Sequence, residues 1–267
     1  MKAYFTFFRM QLLGGLQYRA AAWAGIFTQF FWGFMETQLY RALYRGGADR
    51  FPMELSALVS YIWLRQAFFA MLNTWTFENQ LFETIRSGDV AYELCRPVSL
   101  YGMWFARNAA LRVSRAALRC GPILVVSALL PAPWGLSAPA SLGAFLCFLL
   151  SLILCLAVTV AFSLVVYFSC FYTVSADGLR SILTPVSDLL SGALVPLPFM
   201  PDALARVLSY SPFGAMLNAP LRIYSGDLSG TGALGAMALQ VFWLTAVGAL
   251  GLYMSKRGLK KVRLQGG

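Results

Sequence analysis

The sequence predicts an all-α, polytopic membrane protein. It has six transmembrane helices in one domain over residues 1–267, a cytoplasmic helical insert and an extracellular re-entrant hairpin. Three observations predict it. Hydrophobic residues make up 59% of the chain and charged residues 12%, with a mean hydropathy of +0.66. A soluble domain has roughly 45–50% apolar and about 25% charged residues. The apolar runs are long and lack the alternating ten-residue segments of a barrel, so the spans are helices. Lysine and arginine are also unevenly placed between the runs, as the positive-inside rule requires.

The elements follow in chain order. Residues 1–19 place Tyr4, Phe5, Phe8, Leu12 and Leu16 near one helical face, with Lys2, Arg9 and Arg19 elsewhere. This reads as an amphipathic helix lying on the inner leaflet. The same stretch has no clean apolar core or cleavage site, so no secretory signal is expected. A helix needs about 20 apolar residues to cross a bilayer. Six segments qualify: Ala20 to Tyr44, Glu54 to Thr76, Asn108 to Leu130, Ser141 to Phe171, Leu179 to Val195 and Ala233 to Met254. With the N-terminus inside, fifteen basic residues fall on the cytoplasmic side and five (Arg41, Arg45, Arg50, Arg206 and Arg222) outside. Both termini are therefore expected in the cytoplasm. The net charge of +10 is explained by this bias, so nucleic acid is not expected as a partner.

Residues 77–98 form the insert between the second and third spans. "ENQLFETIRSG" puts Leu81, Phe82 and Ile85 on one face, with Glu83 and Arg86 off it. Gly88 then ends the turn as a C′ glycine. Asp89 is placed to cap a second short helix, "VAYELCR", which Pro97 stops. Two such short helices do not stand alone in water, so they need a surface to pack on. Residues 196–228 carry Pro196, Pro198, Pro201, Pro212 and Pro220, which break any continuous helix. Broken backbone at membrane depth needs cover from protein or a watery cavity. "DALARVL", capped by Asp202, and "FGAMLNAPLRIY" are its two helical candidates.

Over nearly its whole length the chain resembles a permease of the ABC-2-type exporter family. Six spans with both ends inside, the insert after the second span, and "LSGALVPLPFMPDALARVLSYSPFGAMLNAPLRIYSGD" from Leu190 to Asp227 carry the likeness. "GDVAYELCRPVSLY" further resembles a bacterial subfamily that often pairs two different permeases. The resemblance implies a coupling helix in the insert that docks on an ATPase. Leu81, Phe82 and Ile85, or Val90 and Leu94, would enter an ATPase groove rimmed by Glu83, Arg86, Asp89 and Glu93. It also implies export across a bacterial inner membrane by a permease dimer, identical or mixed, in contact with membrane lipids. ATP and its Mg²⁺ would be bound by separate ATPase subunits, with no cofactor in this chain.

Charges inside the spans are costly and need an explanation. Glu36 and Arg65 lie at similar depth, roughly 12 and 16 Å from the outer face at 1.5 Å per residue. They are expected to form a structural ion pair. Arg180, Thr184, Asp188 and Ser191 form a polar stripe on the fifth span, interrupted by Pro185, and Arg112, Arg115 and Arg119 form another on the third. The two stripes are expected to face each other, or a water-filled inner vestibule, as a pathway; the alternative is that the arginines snorkel to anionic headgroups.

The chain holds no histidine, which removes imidazole as base or ligand. No G-x-x-x-x-G-K-[ST] occurs, so a Walker A loop is absent. The five cysteines form no C-x-x-C pair. An enzyme is not expected. A stand-alone secondary transporter or channel is the alternative, but no repeat relates the first three spans to the last three.

Overall fold

A computed structural model describes residues 2–47, 51–74, 76–173 and 176–260. Arg50, Lys261 and Arg263, counted above among the flanking charges, lie outside the described residues. Helices account for the secondary structure throughout, and no strand occurs among the described residues. The order is α1 (Lys2–Gly15), α2 (Arg19–Arg45), α3 (Leu55–Ala67), α4 (Phe69–Leu72), α5 (Asn79–Arg86), α6 (Val90–Leu94), α7 (Leu100–Leu129), α8 (Leu142–Ser169) and α9 (Ala176–Ser191). A 3-10 turn (Leu197–Phe199) then leads to α10 (Asp202–Ser209), α11 (Pro212–Met216), α12 (Asn218–Tyr224) and α13 (Gly230–Leu259). Of these, α8 and α13 are long and apolar enough to cross a membrane by length and composition.

Four of the six expected spans match single long helices within a few residues, and two differ instructively. The second breaks at Phe68 and ends at Asn73. There the Asn73 side chain accepts from the Thr76 amide at 2.9 Å, and the chain turns away. The third begins eight residues early, because Ser99 caps it by accepting from the Gly102 amide at 3.2 Å. At 30 residues α7 is about 45 Å long, well beyond the ~30 Å of a hydrocarbon core.

The buried α3 runs through the centre, with every residue from Leu58 to Ala67 covered. α8 is the other central helix and packs along α13. There Ser151 donates to Gln240 at 2.9 Å, and the Gln240 amide donates to the carbonyls of Ser151 and Ala215. Small residues set the close approaches. A Cβ on Gly251 would meet the Tyr101 ring, and one on Gly258 the Phe171 ring.

The bundle has two distinct ends. One gathers α1, α5 and α6, the start of α7, the last turns of α8 and the last turns of α13. One apolar cluster spans Phe7, Phe82, Val90, Leu100, Phe168, Met254 and Leu259. The other end gathers the 130–141 loop and the segment after α9. The Trp63 indole donates to the Trp134 carbonyl at 2.7 Å, Arg41 stacks 3.6 Å from the Trp134 ring centre, and Tyr224 donates to the Ser137 carbonyl. α1 lies along the first half of α7, from Tyr4 at Ser99 to Gly15 at Ser114. Its inward face holds Phe7 and Phe8, while Phe5, expected on that face, is exposed.

The 196–228 segment is helical, with α11 and α12 internal and α10 mostly exposed. α11 and α12 pack against α8, with Leu217, Leu221, Ile223 and Tyr224 in the same core as Phe148 and Cys155. Asp202 is the first residue of α10 and makes no capping bond, because Pro201 takes the cap position. Asp202 instead places its charge in the first turn, where the helix dipole favours it.

Candidate functional site

The insert carries charges of both signs and packs on the bundle. α5 and α6 meet at Gly88, whose φ of +80° is open mainly to glycine. The capping expected of Asp89 is not made. Its carboxylate accepts from the Ser87 hydroxyl at 2.7 Å instead.

The apolar face of the insert turns inward. Leu81, Phe82 and Val90 are buried, and Ile85 packs on the same cluster, against Trp104, Tyr167 and Phe168. This corrects the expectation that these four enter a partner's groove: the bundle's own aromatic rings cover them first. Glu93 is corrected likewise. Its carboxylate accepts from the Trp104 indole and sits 3.8 Å from Arg107, so it braces the insert rather than rimming it. Glu83, Arg86, Asp89, Tyr92 (77% exposed) and Leu94 (45%) are among the insert residues that face outward. Glu83 and Arg86 pair with each other at 3.3 Å.

A buried polar hub ties this insert to the long helices. Arg112 spends its whole guanidinium on four neutral acceptors. It donates to Asn108 Oδ1 (2.9 Å), the Asn73 carbonyl (2.6 Å), the Thr76 carbonyl (3.1 Å) and Ser163 Oγ (3.0 Å). Tyr167 accepts the Glu78 amide at 2.6 Å. Arg107 grips the Glu78 carboxylate from two nitrogens and donates to Gln80 Oε1 at 2.7 Å. Arg180 donates to Asn79 Oδ1 at 3.1 Å and lies over the Phe77 and Phe82 rings at 5.4 and 4.9 Å. The insert is therefore fixed to α7, α8 and α9 by separate contacts. Arg107, Asn108, Ser163, Tyr167 and Glu78 were not singled out from the sequence. The available signal was the opposite charges of Glu78 and Arg107 on the two flanks of the insert.

The members of the two polar stripes lie in different settings. Arg112 is sealed in the hub, Arg115 is exposed, and Arg119 is half-buried against α2, where a Cβ on Gly25 would collide with its guanidinium. On α9, Asp188 accepts from Thr74 at 3.3 Å, Ser191 is buried and donates to the Asp188 carbonyl, and Thr184 is half-buried. Arg119 and Asp188 nevertheless share a chamber.

That chamber, of about 510 Å³, lies between α2, α3, α4, α7 and the end of α9. Its wall carries Thr28, Gln29, Glu36, Arg65, Gln66, Asn73, Arg119 and Asp188 among apolar Trp32, Phe69, Leu72, Leu194 and Leu217. Arg65 donates to the Glu36 carboxylate and to the Ala193 carbonyl. The pair thus joins α2, α3 and the chain leaving α9. A second cavity, of about 710 Å³, lies nearer the insert, between α1, the start of α2 and α7. Arg119 lines both cavities and stands between them. Among the described residues no group of three His, Cys, Asp or Glu gathers as a metal site.

The chain's relation to known proteins bears on this arrangement. The family model described as "ABC-2 family transporter protein" matches residues 53–266, which include α3 to α13 and the whole insert. No curated protein and no solved structure matches the chain.

Proposed function

The chain belongs to the ABC-2 family of transporter proteins, whose membrane components are transport subunits working with ABC ATPases, and we propose how this one is built for that task. It is a six-span permease of a bacterial inner-membrane exporter, with α2, α3 with α4, α7, α8, α9 and α13 as spans. Both termini and the insert lie in the cytoplasm, and α10 to α12 form the extracellular re-entrant segment. α1 and the insert flank the part of α7 that is too long for the hydrocarbon core. Placement of α1, the insert and the last turn of α13 at one end of the bundle supports this topology.

One observation carries the functional reading. The insert is fixed to α7, α8 and α9 at its inner face and leaves a compact polar and aromatic surface free. A segment held that way transmits force. An ATPase that closes on nucleotide would push Glu83, Arg86, Asp89, Tyr92 and Leu94, and the hub would carry the push to α7 and α8. Export would then proceed through a permease dimer, with ATP and Mg²⁺ bound in the partner ATPases. The chamber beside Arg119 and Asp188 would form part of the route.

The Glu83–Arg86 pair gives a clean test. The double variant Glu83→Arg/Arg86→Glu keeps an ion pair on α5 but inverts the charges a partner meets. It is expected to remain in the membrane at wild-type level and to lose ATPase co-purification at least tenfold. Unchanged co-purification refutes docking at this surface.

A further inference from the structure

We propose that the cavity between α1, α2 and α7 is a binding site for a phosphate-type anionic group, presented by the headgroup of a membrane lipid. Its electrostatics are one-sided. Arg115 and Arg119 both line it, and among the described residues neither has a carboxylate partner. The Arg119 Nε is buried without a hydrogen-bond partner. The single carboxylate in the wall, Glu78, is already held by Arg107. Two guanidinium groups at one polar cavity favour a planar-fork acceptor such as phosphate.

The rest of the wall fits the same ligand. Gln11 and Gln17 add neutral groups able to donate hydrogen bonds. The first turn of α2 opens on the cavity with no side-chain cap and no acidic residue. Such a helix start adds favourable potential for an anion. The volume of about 710 Å³ is within the range of small-molecule sites. Beside the cavity, α2 exposes Trp23, Phe27 and Phe31 along one face, an apolar surface on which acyl chains can lie. Basic pockets between membrane helices hold anionic headgroups in this way.

The test uses the purified full-length chain in neutral detergent. It is titrated with dioleoyl phosphatidylglycerol, with dioleoyl phosphatidylcholine, and in a separate arm with inorganic phosphate. Retained lipid is read by native mass spectrometry, and protection by thermal shift. Phosphatidylglycerol is expected to be retained about tenfold better than phosphatidylcholine, because both carry a phosphodiester but the choline cation of the latter is repelled by the two arginines. Arg115→Gln and Gln17→Glu are each expected to abolish that preference. Both positions are exposed, so folding is preserved. Arg9→Gln and Lys256→Gln, basic positions outside the cavity, are expected to keep it. Equal protection by inorganic phosphate assigns the same site to a soluble anion. Retention unchanged in Arg115→Gln and Gln17→Glu, or lost equally in Arg9→Gln, overturns the site. No ATPase is needed, so failure here is separate from failure of the coupling surface.

Discussion

Arg112→Lys probes the hub that fixes the insert. The substitution keeps a positive charge in the same place, so the desolvation cost of the charge is retained and only geometry changes. All three guanidinium nitrogens are in use, on Asn108, the Asn73 carbonyl, the Thr76 carbonyl and Ser163. An ammonium is a single centre and cannot reach acceptors on α7, α8, Asn73 and Thr76 together. At least two of the four bonds are lost. A hydrogen bond to a charged group contributes about 1.5–3 kcal/mol, so the loss is about 3–6 kcal/mol. For a chain of this size that lowers Tm on the order of 10 °C. The assay is a fluorescence-detected melt in detergent, with hydrogen exchange followed over residues 77–94. Exchange there should quicken more than in α8 or α13. A Tm within about 2 °C of wild type, with exchange over 77–94 unchanged, would refute the claim that Arg112 anchors the insert.

Two further variants test the chamber. Breaking a buried ion pair from one side costs about 3–5 kcal/mol, so Glu36→Gln should lower membrane yield severalfold. The swap Glu36→Arg/Arg65→Glu should recover only part, because a carboxylate at 65 cannot donate to the Ala193 carbonyl that Arg65 holds; equal loss in both, by quantitative blot, counts against the pair. Gly25→Ala places a methyl where the Arg119 guanidinium now sits, and that flexible end can move aside. Folding should survive while transport in reconstituted vesicles falls; wild-type transport would remove Arg119 from the route.

Long helices were legible because their apolar runs are long. α2 and α8 end within a few residues of where composition changes. α7 starts before the expected span because "SLYGMWFAR", between the insert and Asn108, is already helical, and the Ser99 cap becomes plain only when the Gly102 amide is seen on it. The break at Phe68 has no glycine or proline to announce it.

The Glu36–Arg65 contact was legible because matched depth on consecutive antiparallel helices leaves few alternatives. The arginine stripe was not. Arg112 and Arg119 are seven residues apart, nearly on one line of α7 but about 10 Å apart along it. At the Arg112 level, Ser163 of α8 and the carbonyls of Asn73 and Thr76 close over the side chain. At the Arg119 level Gly25 of α2 leaves room beside it. Helical spacing tells which residues share a face, and says nothing of what stands opposite at each height. The insert repeats the lesson. Its apolar face was plain in "LFETI", but whether that face meets a partner or the chain's own Tyr167 and Phe168 depends on contacts far away in sequence.

Cys95 offers the most direct measurement, because it lies in the insert and is exposed, while Cys155 is buried and the other three cysteines are half-buried. With those four replaced by alanine, a membrane-impermeant maleimide is applied to intact cells and to inverted membrane vesicles, with and without the co-expressed ATPase. The account predicts labelling of Cys95 in inverted vesicles only, and its suppression when the ATPase is bound. Labelling from the outside of intact cells, or labelling in vesicles that the ATPase leaves unchanged, would contradict it.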